Sequence, residues 1–297
     1  MIVNDLVRQK PLTAAQWTKR IAWRHAVGVL AVAFALFPLI WMISASFDTI
    51  GSLSAQKLIP NKPGLENFRT LIGNPDQPYL TWLKNSVIIS SANAILQMFI
   101  GATAAYALSR FRFKGRKLTL MTILVVQMFP QLLAATSIFL MLADLGKSIP
   151  FLALGQTSAL IIVFAGGALG INAWMLKGFY DTIPSEIDES AKVDGASHAQ
   201  IYFRIILPLA RPVLAVITLL SFIGTMNEFL ITSVILGGNQ KSLTLAVGMQ
   251  QYIDGQYNAH WGPFAAGALI ASVPVMILFL YLQKHVVAGL TAGANKG

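Results

Sequence analysis

Apolar residues gather in six long blocks along this chain, at 26–47, 85–109, 118–142, 157–179, 212–236 and 263–281. Each is close to or longer than the roughly 20 residues that, at about 1.5 Å per residue, cross a bilayer core about 30 Å thick. The pattern predicts an all-α, polytopic membrane protein with six transmembrane helices. Pro130 falls inside the third block, where a membrane helix tolerates a kink. Gly166 and Gly170 form a Gly-x-x-x-Gly in the fourth, a spacing that lets helices approach closely in lipid. The first block has a rival reading as a secretory signal with Ser44-Ala45-Ser46 as its cleavage site, but it is too long for a signal core of about 7–15 residues. The interval 48–84, with Pro60, Pro63, Pro75 and Pro78, reads as loop with at most short helices. Intervals 144–156 and 237–262 read as a short loop and a polar loop. The chain thus divides into a tail at 1–25, one membrane domain at 26–287 that includes a polar insert, and a small, flexible tail at 288–297.

Composition supports the membrane reading: 55% of the 297 residues are hydrophobic and only 11% charged, where soluble domains carry about 25% charged residues. The net charge of +10 could serve nucleic acid or a basic membrane face, and its distribution favours the second. Sixteen of the 22 basic residues lie in the N-terminal segment, the 110–117 turn, the 177–211 region and the C-terminal tail, against six in 48–84, 143–156 and 237–262. The positive-inside rule then makes both termini and the 182–212 insert cytoplasmic. The absence of cysteine excludes a disulfide scaffold and a thiolate metal site. His25, His198, His260 and His285 match no metal-ligand spacing, so no metal site is expected.

The insert is the long polar interval of the second half, with five carboxylates from Asp181 to Asp194. Ser185 followed by Asp188 is a helix start signal, and Ser197 followed by Gln200 is a capping box. Gly195 suits the left-handed position just past a helix end. The segment therefore predicts two short helices, 186–193 and one carrying Ile201, Tyr202, Ile205 and Ile206 up to Pro208, bent at Gly195. An amphipathic loop lying on the bilayer is the plain alternative. Acidic helices are ill suited to anionic lipid, which attracts Lys and Arg, and this favours a protein partner.

At this point the chain resembles a known family. Glu189-Ser190-Ala191, then Gly195, then Ile205, Leu207 and Pro208 at fixed spacing resemble the "EAA" signature of permease subunits of ATP-binding-cassette importers. Ser190 departs from the usual Ala. Gln127-Met-Phe-Pro130, the 110–117 turn, the 244–252 stretch and the tail from Gly289 to Gly293 are similar to the second, shorter permease subunit of maltose/maltodextrin importers. The resemblance implies that 182–208 docks in a cleft of a separate ATPase. It implies a heterodimer with a larger permease, two ATPase copies, an extracytoplasmic sugar-binding protein and a bacterial inner membrane. It further implies no catalytic residue and no cofactor in this chain, ATP and Mg being bound by the ATPase. Gln256 and Tyr257 in the outer loop would face the binding protein and its sugar, and Gly293 and Lys296 in the tail would reach the ATPases.

Asn227 and Glu228 stand inside the fifth block, and Glu228 is the one carboxylate within a predicted span. An acid near mid-membrane costs on the order of 3 kcal/mol, so it should line a pathway, relay protons or be a hydrogen-bonded packing residue. Gly146-Lys147-Ser148 mimics the end of a phosphate-binding loop, but Met141 stands where the motif needs Gly. The leading reading is a sugar-importer permease for maltose/maltodextrin-type oligosaccharides, with trehalose or a polyol as alternative cargo. The rivals are a stand-alone proton-coupled transporter using Glu228 and a membrane receptor signalling through the insert.

Overall fold

The computed structural model describes residues 21–49, 57–60, 62–254 and 260–294. Among them the architecture is all-α, and the only strand-like pairing is an isolated bridge between Asp48 and Pro63. The helices are α1 (Trp23–Phe47), α2 (Glu66–Gly73), α3 (Tyr79–Arg110), α4 (Arg116–Gln127), α5 (Gln131–Ser148), α6 (Thr157–Ala165) and α7 (Ile171–Asp181). They continue with α8 (Ser185–Val193), α9 (His198–Leu209), α10 (Arg211–Met226), α11 (Leu230–Leu236), α12 (Leu245–Gln250) and α13 (Trp261–Ala294).

Three of these, at Trp23–Phe47, Tyr79–Arg110 and Trp261–His285, are each long and apolar enough to cross a membrane. Two bent pairs, α6 with its following turn joined to α7 at 40° and α9 joined to α10 at 77°, bring the candidate spans to five. The predicted third span is not among them, because it is cut into two. Met128 and Phe129 leave the helix and Pro130 opens α5, its missing N–H and ring barring the helix from running through. The fourth predicted span is also broken. Gly166–Leu169 tighten into a 3-10 turn, and Gly170, with φ −77 and ψ −133, leaves helical backbone before α7. The Gly-x-x-x-Gly is therefore not a smooth packing stripe: Gly166 meets nothing, while a side chain on Gly170 would overlap the Gln127 amide. The fifth breaks at Asn227–Phe229. The C-terminal segment is helical through Ala294 rather than a loose tail from 288.

Helix α3 is the hub, packing along α7 and α10. Its one end joins a core of Tyr106, Tyr180, Ile201 and Ile206 beside the insert. Its other end joins Trp82, Leu71, Met249 and Tyr252. Among the described residues of the 48–84 interval, loop and the short helix α2 match the expectation. Asn67 is buried and donates to the carbonyls of Ser46 (3.1 Å) and Asp48 (2.9 Å), closing the end of α1. Gly262 packs on that same Asn67 amide, so α13 begins where α1 ends.

Candidate functional site

Two regions carry polar chemistry that packing alone does not require. The first is the insert. Helix α8 begins at Ser185 with Pro184 in the capping position and makes no side-chain cap. The helix thus starts where the signal put it, with Asp188 in its first turn but without the expected cap bond: Asp188 turns inward, buried at 5% exposure, and forms an ion pair with Arg110 Nε at 3.1 Å. Arg110 Nη2 also donates to the Ile183 carbonyl (2.9 Å), so the end of α3 grips both sides of the α8 entrance. At its far end α8 closes as foreseen. Gly195 has φ +84, its N–H donates to Lys192 O (3.0 Å), and Ala196 N–H donates to Ala191 O (2.9 Å). These two bonds form a Schellman turn, and the small residues Ala191 and Ala196 both pack into the core beside it. Ser197 and Gln200 make the capping box at 3.3 and 2.7 Å. Tyr202–Ile206 form a π turn, and α9 ends at Leu209.

The fold divides the signature residues between two faces. Ala191 is buried, and Ile205 and Leu207 pack against a core held by Tyr106, Tyr180 and Tyr202. Pro208 is half-buried. Glu189, Ser190 and Gly195 face outward beside Lys192 and Asp194. Val193, an aliphatic residue, stands among them 89% exposed.

The second region lies between the three interrupted spans. Gln97 on α3 accepts from Asn172 Nδ2 on α7 (2.8 Å) and from Ser221 Oγ on α10 (2.9 Å), and donates to Phe164 O (3.1 Å). One turn earlier on α3, Asn93 donates to Thr225 Oγ1 (2.5 Å), and its Oδ1 is buried without a partner. With Gln127 these side chains border a cavity of about 550 Å³ walled by Ile138, Val163, Phe164 and Met175. No sequence expectation singled out Asn93, Gln97, Asn172, Ser221 or Thr225. A signal existed: Asn93 with Gln97, and Ser221 with Thr225, are spaced to share a helix face inside otherwise apolar blocks.

The other predicted residues lie elsewhere. Glu228 sits in the break between α10 and α11, and its carboxylate accepts from Ile231 N (2.8 Å), Thr232 N (2.9 Å) and Thr232 Oγ1 (2.6 Å). It thereby satisfies orphan amides at the head of α11. Asn227 donates to Ile223 O (2.9 Å) and borders a separate, largely apolar groove with Phe229 and Met249. Gln256, Tyr257 and Lys296 lie outside the described residues, and Gly293 is in the last turns of α13. Among the described residues no cluster of three His, Cys, Asp or Glu could hold a metal.

A sequence profile of the binding-protein-dependent transport system inner membrane component matches residues 97–291. The maltose/maltodextrin transport system permease protein MalG of Vibrio vulnificus is 38% identical, across 98% of this chain and 99% of its own length. The galactooligosaccharides transport system permease protein GanQ of Bacillus subtilis is 37% identical across 94% and 96%. In three dimensions, a chain of a bacterial ABC transporter involved in the import of the acidic polysaccharide alginate superposes with a TM-score of 0.71, at 24% identity, over 92% of this chain and 98% of that one. That likeness carries the fold alone.

Proposed function

The chain belongs to the binding-protein-dependent transport system inner membrane components, and on that premise we propose that it is the permease subunit through which a maltodextrin importer is driven by its ATPase. It is a sugar-importer permease and a transport component rather than an enzyme. The observation that carries the coupling reading is the two-faced insert. Its inner face is anchored by the Arg110–Asp188 pair and a tyrosine core, while Glu189, Val193 and Gly195 are presented outward. An exposed aliphatic residue ringed by charges fits a protein groove better than water or anionic lipid.

In this reading the membrane chain crosses six times, with both termini and the insert cytoplasmic as the basic residues require. It pairs with a larger permease, two ATPases and an extracytoplasmic binding protein. Nucleotide binding moves α8 and α9, and the 77° junction with α10 passes that motion to the interrupted spans. Alternating access by rocking of such bundles is a general transporter mechanism. Glu228 acts as a helix cap rather than a proton relay, since three donors already engage its carboxylate.

Maltodextrin is the first cargo because of the MalG relative, and a galactooligosaccharide is the second reading because GanQ is almost equally similar. The test is reconstitution of the complete transporter in liposomes. ATP-dependent maltotriose uptake is expected, and uptake of galactotriose alone would install the second reading. Gly195→Pro, which cannot adopt φ +84, should leave the complex in the membrane yet abolish uptake; normal uptake would sink the coupling assignment.

A further inference from the structure

We propose that the cavity of about 550 Å³ between the three helix breaks is a binding site for a neutral carbohydrate in transit, so that this subunit itself contacts the cargo inside the membrane. The inference rests on the importer reading and deepens it.

The first support is placement. Spans four and five and the predicted third span all lose helical continuity, at 128–130, 166–170 and 227–229. Lining residues flank each break: Gln127 at the first, Gly167 and Ile171 at the second, Thr225 and Ile231 at the third. Non-helical backbone at membrane depth is tolerated where it lines a cavity, and transporter substrate sites are commonly built from discontinuous helices.

The second support is unused hydrogen-bonding capacity. A network serving only to hold helices together would close on itself, and its bonds would contribute little, about 0.6 kcal/mol each on average. This one is open. Asn93 Oδ1 is buried and unpartnered. Among the described residues, Asn172 Oδ1 accepts no hydrogen bond and the Gln127 side-chain amide makes none. The Gln127 amide occupies the space that a side chain on Gly170 would fill.

The third support is the chemistry of the lining. Amides and hydroxyls offer donors and acceptors together, matching a hydroxyl that is both. None of the lining residues is ionisable, so an ion would be desolvated without a counter-charge. Phe164 and Met175 give the wall an apolar face for the C–H surface of a sugar ring. The volume lies within the roughly 300–1,000 Å³ usual for small-molecule sites. The rim is open, with Ile171 at 69% and Leu220 at 52% exposure, so a ligand reaches it from outside this bundle.

The chain's lack of cysteine makes the test direct. Ser221→Cys provides this subunit with a single thiol, in the reconstituted complex held with a non-hydrolysable ATP analogue. Its modification by neutral 2-hydroxyethyl methanethiosulfonate is followed by the mass of this subunit. Binding protein loaded with maltotriose should slow modification by about tenfold, the factor that corresponds to about 1.4 kcal/mol of cargo occupancy. Binding protein without sugar, or an acidic oligouronate added instead, should not. No modification at all, or an equal rate with and without sugar, overturns the assignment. Independently, Gln97→Leu and Asn172→Leu should lower maltotriose uptake by about tenfold, the equivalent of one or two lost hydrogen bonds, while ATP hydrolysis stimulated by the binding protein persists. Unchanged uptake in assembled complexes overturns it as well. If the unmodified complex imports no neutral oligosaccharide, the importer reading falls and takes this one with it.

Discussion

In the insert, the bonds that shape the helix ends join near neighbours: Ser197 with Gln200, Gly195 with Lys192, Ala196 with Ala191. In the cavity, the partners are strangers in sequence: Gln97 reaches Asn172 75 positions away and Ser221 124 away, and Asn93 reaches Thr225 132 away. One region is locally encoded and then docked as a unit. The other exists only when four helices have met. The insert can therefore transmit force without deforming. The cavity changes shape whenever one helix moves against another, which is the property a translocation site needs.

The contrast is open to attack at its strongest point. Asp188→Ala leaves Arg110 buried with only the Ile183 carbonyl as partner. The penalty for breaking such a pair is about 3–5 kcal/mol. The insert should detach, seen as rapid proteolysis within 182–212 and loss of ATPase from the purified complex. An Arg110→Met, Asp188→Leu double variant should restore docking, and failure to do so would mean the pair does more than anchor.

Ser197→Ala removes a capping box and costs about 1 kcal/mol. Hydrogen exchange should rise across 196–202 and nowhere around Asn93 or Gln97; a spread into the bundle would break the picture of a self-contained insert. Gln97→Leu loses three hydrogen bonds and, at about 0.6 kcal/mol for each, should lower thermal unfolding of the complex only slightly. A large drop would mark the network as structural glue. The smallest effect is expected of Glu228→Gln, which keeps one acceptor for the α11 amides and should leave uptake and its pH profile near those of the unmodified protein. Abolished uptake would restore the proton-relay reading.

The same distinction sets how much could be read from residues alone. Gly195 and the Ser197–Gln200 box announced the bend in the insert, because their partners lie within a few positions. Ser185 and Asp188 marked the start of α8, but the Arg110 partner of Asp188 stayed hidden, because no local rule links an acid to a base 78 positions upstream. Hydropathy found the apolar blocks yet hid their interruptions. The breaks at 128–130 (Met-Phe-Pro) and 227–229 (Asn-Glu-Phe) are only three residues long and sit between apolar runs, so an average over a span-length window hides them. Pro130 was visible as a kink but not as a full break, and Gly166 and Gly170 suggested a packing stripe where the backbone unwinds. Single amides such as Asn93 and Asn172 carried no meaning until their neighbours were known.

The π turn at Tyr202–Ile206 makes the insert sensitive to length as well as to composition. Such a turn holds one residue more than the regular helix would. It works as a phase shifter: residues upstream and downstream of it are set about 100° apart from where an unbroken helix of 3.6 residues per turn would put them. Loss of Phe203 would keep the helix, the caps and nearly all the apolar surface, yet rotate the Ile201 side of the segment relative to Pro208 and the start of α10. Variants of this protein should consequently accept many exchanges of residue type between 198 and 209 and no change in the number of residues. A deletion scan scored by uptake would show that boundary as a sharp step.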